Sequence, residues 1–388
     1  MSKKRTMAKR IEKIPPSGIR ELFNRAQGIP GVISLGIGQP NIPTPEPLIE
    51  KLVSAVRGGD NYYSPTPGTP KYRKAISEQL KRDYNLEYNP SNEILATASG
   101  CEAIYAALMA HIDPGDEVLI PDPSFLTYSR QVRLAGGIGK WVKPKADLTL
   151  DLEDVKEKIT SKTKAIIINF PSNPTGKLMS EEGLQSVVDL AVDNDIIILS
   201  DEVYDKTIFA GEKHVSVPTL NNAFNQTLLI YSFSKTFCVP GWRIGYVAGP
   251  KELIAPITKM HSFIVANAPS AQQNAIGEFL NTPEAKEFTD KLCKILEERK
   301  KKIVPGFNAI DGFECLDVEG SFYAFPKVSN HKYYTTSKEL SEKIFEEQKV
   351  VLVPGDEFGP SGEGYLRASF GSTNLDTIDE VLERLSKI

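Results

Sequence analysis

The chain has 388 residues, 25% charged and 40% hydrophobic, an ordinary globular mix with room for two domains. Its net charge of -4 offers no basic field for nucleic acid or an anionic membrane, and no apolar run reaches the roughly 20 residues of a membrane helix. Four cysteines (Cys101, Cys238, Cys293, Cys315) lie far apart without a CxxC pair, and the histidines show no metal spacing, which argues against a disulfide framework or a metal site and suits a reducing cytoplasm.

In chain order, the first ten residues, MSKKRTMAKR, are basic and lead into no apolar stretch, so they read as an arm rather than a signal peptide. Short apolar runs then alternate with helical patterns. EILATAS precedes the helical GCEAIYAALMAHI, and DEVLIPDP precedes a helix from about Phe125. KAIIINFPSNPTG precedes SEEGLQSVVDLAVDN, and DIIILSDEVY and QTLLIYSFSK follow. Continuous Ile, Val and Leu runs suit strands buried on both faces, and their alternation with helices predicts an α/β fold with a mostly parallel sheet. RIGYVAGP reads as one more strand, reversed in direction. TPEAKEFTDKLCKILEERKKKIVPGF predicts a long amphipathic helix with Thr282 as N-cap ahead of Pro283. Beyond it, GSFYAFPKV, VVLVPGDEF and YLRASFG are shorter, alternating strands mixed with helices. We expect residues 1–46 to form an arm and part of a small domain, 47–284 a large cofactor-binding domain, and 285–388 the linking helix and the rest of the small domain.

In open parallel sheets ligands bind at the carboxyl ends of the strands, so the residues just after each apolar run are the informative ones. They are Ser99-Gly100-Cys101, Phe125, Asn173, Asp201 with Tyr204, and Ser232, Ser234 and Lys235. This set suits hydride transfer or peptide hydrolysis poorly and suits an aromatic, phosphorylated aldehyde well. Each member also has an ordinary reading. ASGCEA is either a glycine turn with an N-cap or a phosphate-binding helix start. Phe125 is either core or a stacking ring. NPTG (Asn173 to Gly176) is a turn by composition, while Asn173 can also donate to a phenolate oxygen. Asp201 can cap a helix or hold a pyridinium proton. Lys235 is harder to explain as structure, because lysine is strongly hydrated and a strand end at the sheet centre is not its usual place. Arg243, flanked by Gly241 and Gly245, suits a bidentate phosphate clamp.

On these residues the chain resembles the class I aminotransferases of pyridoxal-phosphate fold type I, which include aspartate and aromatic aminotransferases. The S-x-S-K-(seven)-R spacing from Ser232 to Arg243 is the most specific signal, and NPTG, SDEVY and GYLRASFG occur in the family's order. The resemblance implies a large domain with a mostly parallel, seven-stranded-type sheet between helices, plus a smaller α+β domain built from both termini. It implies pyridoxal 5'-phosphate as cofactor and no metal. The implied reaction moves an amino group from an L-amino acid, aspartate or aromatic favoured, to a 2-oxo acid such as 2-oxoglutarate. By the same resemblance Lys235 is the Schiff-base lysine and later moves the proton, and Asp201 pairs with the pyridine nitrogen. Asn173 and Tyr204 bond the ring oxygen, Phe125 stacks on the ring, and Gly100, Cys101, Ser232, Ser234 and Arg243 surround the phosphate. Arg367 clamps the substrate α-carboxylate, assisted by Gly38 and Asn173. Tyr63, in NYYSPTPGTP, reaches the phosphate of the neighbouring subunit, which implies a homodimer with shared active sites.

Three departures from the family pattern stand out: Cys238 where another small residue is usual, Cys101-Glu102 in the phosphate loop, and GQPN (Gly38 to Asn41) in place of an acidic pair. The same core motifs would serve a pyridoxal-phosphate-dependent carbon–sulfur β-lyase. A nucleotide-binding dehydrogenase or kinase is disfavoured, since GIGQPN lacks a third glycine and GGIGKW lacks the Ser or Thr after a P-loop lysine. A regulator that borrowed the fold would need a DNA-binding module, which neither arm nor tail is long enough to hold.

Overall fold

The computed structural model describes residues 7–12, 14–15, 18, 24–209, 211, 213–329 and 335–388. The first six residues of the basic arm lie outside them. At the centre is a seven-stranded sheet of β1 (Ile94–Thr97), β2 (Glu117–Pro121), β3 (Ile138–Val142), β4 (Thr163–Ile168), β5 (Ile197–Asp201), β6 (Thr227–Ser232) and β7 (Gly245–Ala248). In space the strands lie in the order β1-β7-β6-β5-β4-β2-β3. β7 is antiparallel to both neighbours, β1 and β6, and the remaining pairs are parallel. The reversal expected for RIGYVAGP is therefore present, in the interior of the sheet.

Every residue of β1, β2, β5, β6 and β7 is buried, which is why these strands read as unbroken apolar runs. The strand β3 was not expected. Its sequence, Ile-Gly-Lys-Trp-Val, lies at the sheet edge with its first two residues exposed. An edge strand need not be apolar on both faces, and a lysine there discourages further pairing. GGIGKW is thus the start of an edge strand and not a phosphate loop.

Three helices matter for the site. The helix α1 (Gly100–His111) follows β1 and packs over β6 and β7, which brings its N-terminus to the carboxyl end of β6. The single turn α2 (Phe233–Thr236) follows β6 and carries Lys235. The long α3 (Pro283–Asn308) is capped by Thr282, whose hydroxyl accepts from the Ala285 N–H, as expected.

C-terminal elements form a three-stranded antiparallel sheet with Leu366–Ser369 between Tyr323–Ala324 and Val353–Pro354. Ile33–Ser34 pairs in parallel with Val350–Val351, so the N-terminal segment joins these elements, and Leu35 packs in one cluster with Leu296, Phe307 and Phe370. That pairing carries the Gly36–Gly38 loop to the strand of Arg367. Among the described residues no helix is long and apolar enough to cross a membrane, and no His, Cys, Asp and Glu group could hold a metal. The four cysteines are unpaired.

Candidate active site

The carboxyl ends of β1, β5 and β6, the Gly36–Gly38 loop and the C-terminal sheet enclose one cavity of about 430 Å³. Gly38, Gly100, Cys101, Phe125, Asn173, Asp201 and Tyr204 line it, as do Ser232, Ser234, Lys235, Arg243 and Arg367. Tyr63 does not. It is 89% exposed on its loop, so it packs against little of its own chain.

One end of the cavity gathers donors. Ser99 is the N-cap of α1 but makes no side-chain cap, so the first turn's N–H groups are left uncapped beside the cavity. The Ser232 and Ser234 hydroxyls lie 2.9 Å apart, and the Arg243 guanidinium donates to Ser99 Oγ and to the Pro240 carbonyl. Two backbones here are strained: Ser99 at φ 85°, ψ 168° and Arg243 at φ 54°. Such conformations cost a non-glycine residue of order 1–3 kcal/mol each and cluster at binding sites. Gly245 permits the close approach of β7 and α1, since a Cβ there would sit 2.4 Å from the Tyr231 carbonyl oxygen and 3.2 Å from the Gly100 nitrogen. Hydroxyls, helix N–H groups and a guanidinium converging on one point suit a phosphate.

The floor of the cavity holds Asp201, the last residue of β5. The Tyr128 hydroxyl donates to its Oδ2 at 2.6 Å, while Oδ1 is buried without a partner. Burial pushes this carboxyl up to about 6, although Tyr128, the Val203 N–H and Lys235 all pull the other way. A bare carboxylate oxygen in a cavity wall calls for an N–H donor, and a cationic one would bring the pKa back down. Asn169 ties the neighbouring strand ends together: its NH2 donates to the Asp201 carbonyl at 2.9 Å and its oxygen accepts from the Asn173 N–H at 3.0 Å. Phe125 stands edge-to-face with Tyr128, ring centroids 5.6 Å apart.

Above the floor, the Lys235 ammonium donates to the Gly38 carbonyl and lies 5.8 Å from the Phe322 ring centre. The Tyr204 and Tyr323 hydroxyls are 3.0 Å apart. Burial, first of all, holds the Tyr204 phenol well above its ordinary pKa, so it stays protonated and able to donate. Arg367, on the middle strand of the C-terminal sheet, is 3% exposed. It donates to Asn173 Oδ1 at 3.0 Å and to the Gly36 carbonyl at 2.6 Å, while its Nε is buried without a partner. Burial lowers its pKa, yet a guanidinium stays charged in a protein. Since Asn173 spends its oxygen on Arg367, its NH2 remains for another partner.

Tyr128, Asn169 and Tyr323 escaped the sequence reading. Asn169 directly follows β4 as Asp201 ends β5, so the strand-end rule applied evenly would have found it. Tyr128 sits inside a helix and Tyr323 on a distant two-residue strand, and neither has a spacing signal. Of the departures, Cys238 takes a buried position at φ 55° with its thiol pushed up to about 12 by burial, so it is unreactive. Glu102 turns away from the phosphate end, accepting from the Ala98 N–H at 3.1 Å and lying 3.0 Å from His261 Nδ1.

Residues 30–385 match the family model of aminotransferases of class I and II. The aspartate aminotransferase of Pyrococcus abyssi is 36% identical over 384 residues, covering 98% of each chain. Aromatic-amino-acid aminotransferase 2 of Thermococcus litoralis is 34% identical, with 98% of each chain covered. The solved structure of Thermus thermophilus aspartate aminotransferase with maleate superposes with a TM-score of 0.93 at 30% identity, covering 99% of each chain. Likeness of this length, to enzymes of one reaction class, shows that the chain belongs to the class I and II aminotransferases: it is a pyridoxal-phosphate-dependent enzyme that moves an amino group between an amino acid and a 2-oxo acid.

Proposed function

We propose that Lys235 holds the cofactor and moves the proton, that Asp201 serves the ring nitrogen, and that Arg367 binds the α-carboxylate of amino and 2-oxo acids alike. The observation that carries this reading is Arg367, a buried cation without a carboxylate partner among the described residues, set in the cavity wall beside Asn173 and Gly36. An unpaired charge at that depth is costly unless an anion joins it.

The residues fit the cofactor. The orphan Asp201 Oδ1 suits a ring N–H; the start of α1 with Ser232, Ser234 and Arg243 suits the phosphate. Phe125 lines the cavity as an aromatic wall against which the ring could stack, and Tyr204 and the Asn173 amide would offer donors to the ring oxygen. When bound, the cofactor supplies an electron sink that makes the substrate Cα–H acidic. Arg367 holds the carboxylate so that this proton faces Lys235. Lys235, its amine released, takes the proton as base and returns it as acid. Asp201 has to be ionised for the ring nitrogen to keep its proton. The relatives' names favour transamination over the β-lyase alternative.

For the donor we favour aspartate or an aromatic amino acid, with 2-oxoglutarate as acceptor, in line with the relatives' names and with the maleate, a dicarboxylate, of the Thermus structure. The cations among the described lining residues are Lys235, Arg243 and Arg367. All three have work, so the second carboxylate of a dicarboxylic substrate would find its cation on a neighbouring subunit. We propose a cytoplasmic homodimer divided at about residues 46 and 284 of each chain, with Tyr63 reaching the partner's phosphate. The 89% exposure of Tyr63 and 80% exposure of Phe263 support burial by a second copy.

Arg367→Lys tests the carrying observation. Lysine cannot reproduce the fork, so amino acids and 2-oxo acids should bind about ten- to a hundredfold more weakly, while amines lacking a carboxylate are little affected. An equal loss for such amines would point to damage of the fold instead. The dimer is tested by refolding Lys235→Ala and Tyr63→Ala together. Each verified mixed dimer should then hold one intact site and show about half of wild-type activity, since distant sites act independently. Mixed dimers without recovery would remove Tyr63 from the neighbouring site.

A further inference from the structure

We propose that Tyr323 is a positioning residue that links the α-carboxylate clamp to the proton on the lysine–cofactor nitrogen. Its ring lies against Arg367 and its hydroxyl meets that of Tyr204; with Tyr323 as the donor, Tyr204 would keep its own proton for the cofactor's ring oxygen. The proposal rests on the roles given above to Lys235, Tyr204 and Arg367.

Tyr323 is 1% exposed, on the strand next to that of Arg367. The Arg367 Cζ sits 4.6 Å from its ring centre, a cation–π distance. Its hydroxyl is 3.0 Å from that of Tyr204, with the rings edge-to-face. Gly38 leaves room for this arrangement, since a Cβ there would come within 2.3 Å of the Tyr323 oxygen. The clamp, the ring-oxygen donor and the loop that meets Lys235 therefore converge on one side chain.

Counting protons sets the direction of the chain. Two hydroxyls hold two protons, and the contact between them uses one. If Tyr204 donates to Tyr323, it has no proton left for the cavity. If Tyr323 donates, Tyr204 keeps its proton for an oxygen in the cavity. An anionic ring oxygen selects the second arrangement, because it accepts and does not donate. Donors in series strengthen one another. The Arg367 charge draws electron density from the Tyr323 ring and improves its O–H as a donor. A carboxylate on Arg367 offsets that charge and weakens the chain. A ring oxygen that receives a weaker hydrogen bond holds the neighbouring nitrogen's proton more tightly, so that nitrogen's pKa rises when carboxylate binds.

The test follows the pH dependence of the holoenzyme's visible absorption, with and without saturating acetate as a simple carboxylate. Tyr323→Phe keeps the ring under Arg367 and removes only the hydroxyl. The spectral midpoint should rise by about 0.5–1 pH unit, about three- to tenfold in proton affinity, and the further rise caused by acetate in the wild type should shrink. Tyr204→Phe/Tyr323→Phe should match Tyr204→Phe, since the Tyr323 hydroxyl acts through Tyr204. An unchanged midpoint in Tyr323→Phe, or a shift that persists without the Tyr204 hydroxyl, overturns the proposal. Should Tyr323→Phe fail to fold, Tyr204→Phe alone decides: its acetate response should also shrink, and an undiminished response overturns the link. A wild-type band that does not titrate, or acetate binding that Arg367→Lys leaves intact, counts instead against the roles of Lys235 or Arg367.

Discussion

Lys235→Ala should abolish transamination, with a loss of at least about 10⁴-fold, the upper end of general acid–base effects, because the covalent hold on the cofactor goes with the base. The fold should survive. The Lys235 side chain makes one hydrogen bond, to the Gly38 carbonyl, and a loose ring contact, so its removal should change stability by no more than about 1 kcal/mol. Borohydride reduction of the wild-type holoenzyme should fix the cofactor to the peptide that contains Lys235. Label on another lysine, or a Lys235→Ala enzyme that still turns over, would remove this residue from the centre of the mechanism.

Asp201→Ala should still bind cofactor through the phosphate end but slow Cα proton removal by about 10²–10⁴-fold in single turnover. The buried carboxylate also makes a prediction that needs no activity. Its folded pKa of about 6 lies above an unfolded value of about 3.9. Well below pH 4 neither state is ionised and the site is neutral to stability. As pH rises through about 4 to 6 the unfolded chain ionises first, so the apoprotein loses stability, reaching a plateau above about pH 7. Between pH 4 and pH 8 the stability of apo Asp201→Asn should therefore gain on that of the wild type by on the order of 2–3 kcal/mol, whatever constant offset separates them. Denaturant titrations at the two pH values measure this. With cofactor bound the trend should reverse, because a ring N–H⁺ opposite Oδ1 favours the ionised carboxylate. A pH-independent difference would mean that Asp201 is better solvated than its orphan oxygen implies.

The strands that build the site were legible because burial on both faces writes an unbroken apolar run; β3 was not, because an edge strand with Gly139 and Lys140 has no such constraint. Strand-end logic reached Asp201, Lys235 and the start of α1, since a parallel sheet aligns those positions by construction. It had no purchase on Tyr128 or Tyr323. Their importance lies in which hydroxyl meets which oxygen, and that depends on helix rotation and on the packing of Leu366–Ser369 beside Tyr323–Ala324. Arg367 came from the motif YLRASFG, and its isolation as a buried cation emerged only from the packing around it. Ser99 appeared among the strand-end residues, but its strained backbone and its bond to Arg243 belong to three dimensions alone.

The most direct measurement is a single half-reaction: holoenzyme mixed with aspartate or an aromatic amino acid, with no 2-oxo acid present. One equivalent of 2-oxo acid per site should be released, the visible band of the lysine-bound cofactor should disappear, and the amino group should stay on the enzyme until 2-oxoglutarate is added and restores the band. Continued release of ammonia and product from the donor alone, with the band persisting, would contradict transamination and make the enzyme a lyase on the same scaffold.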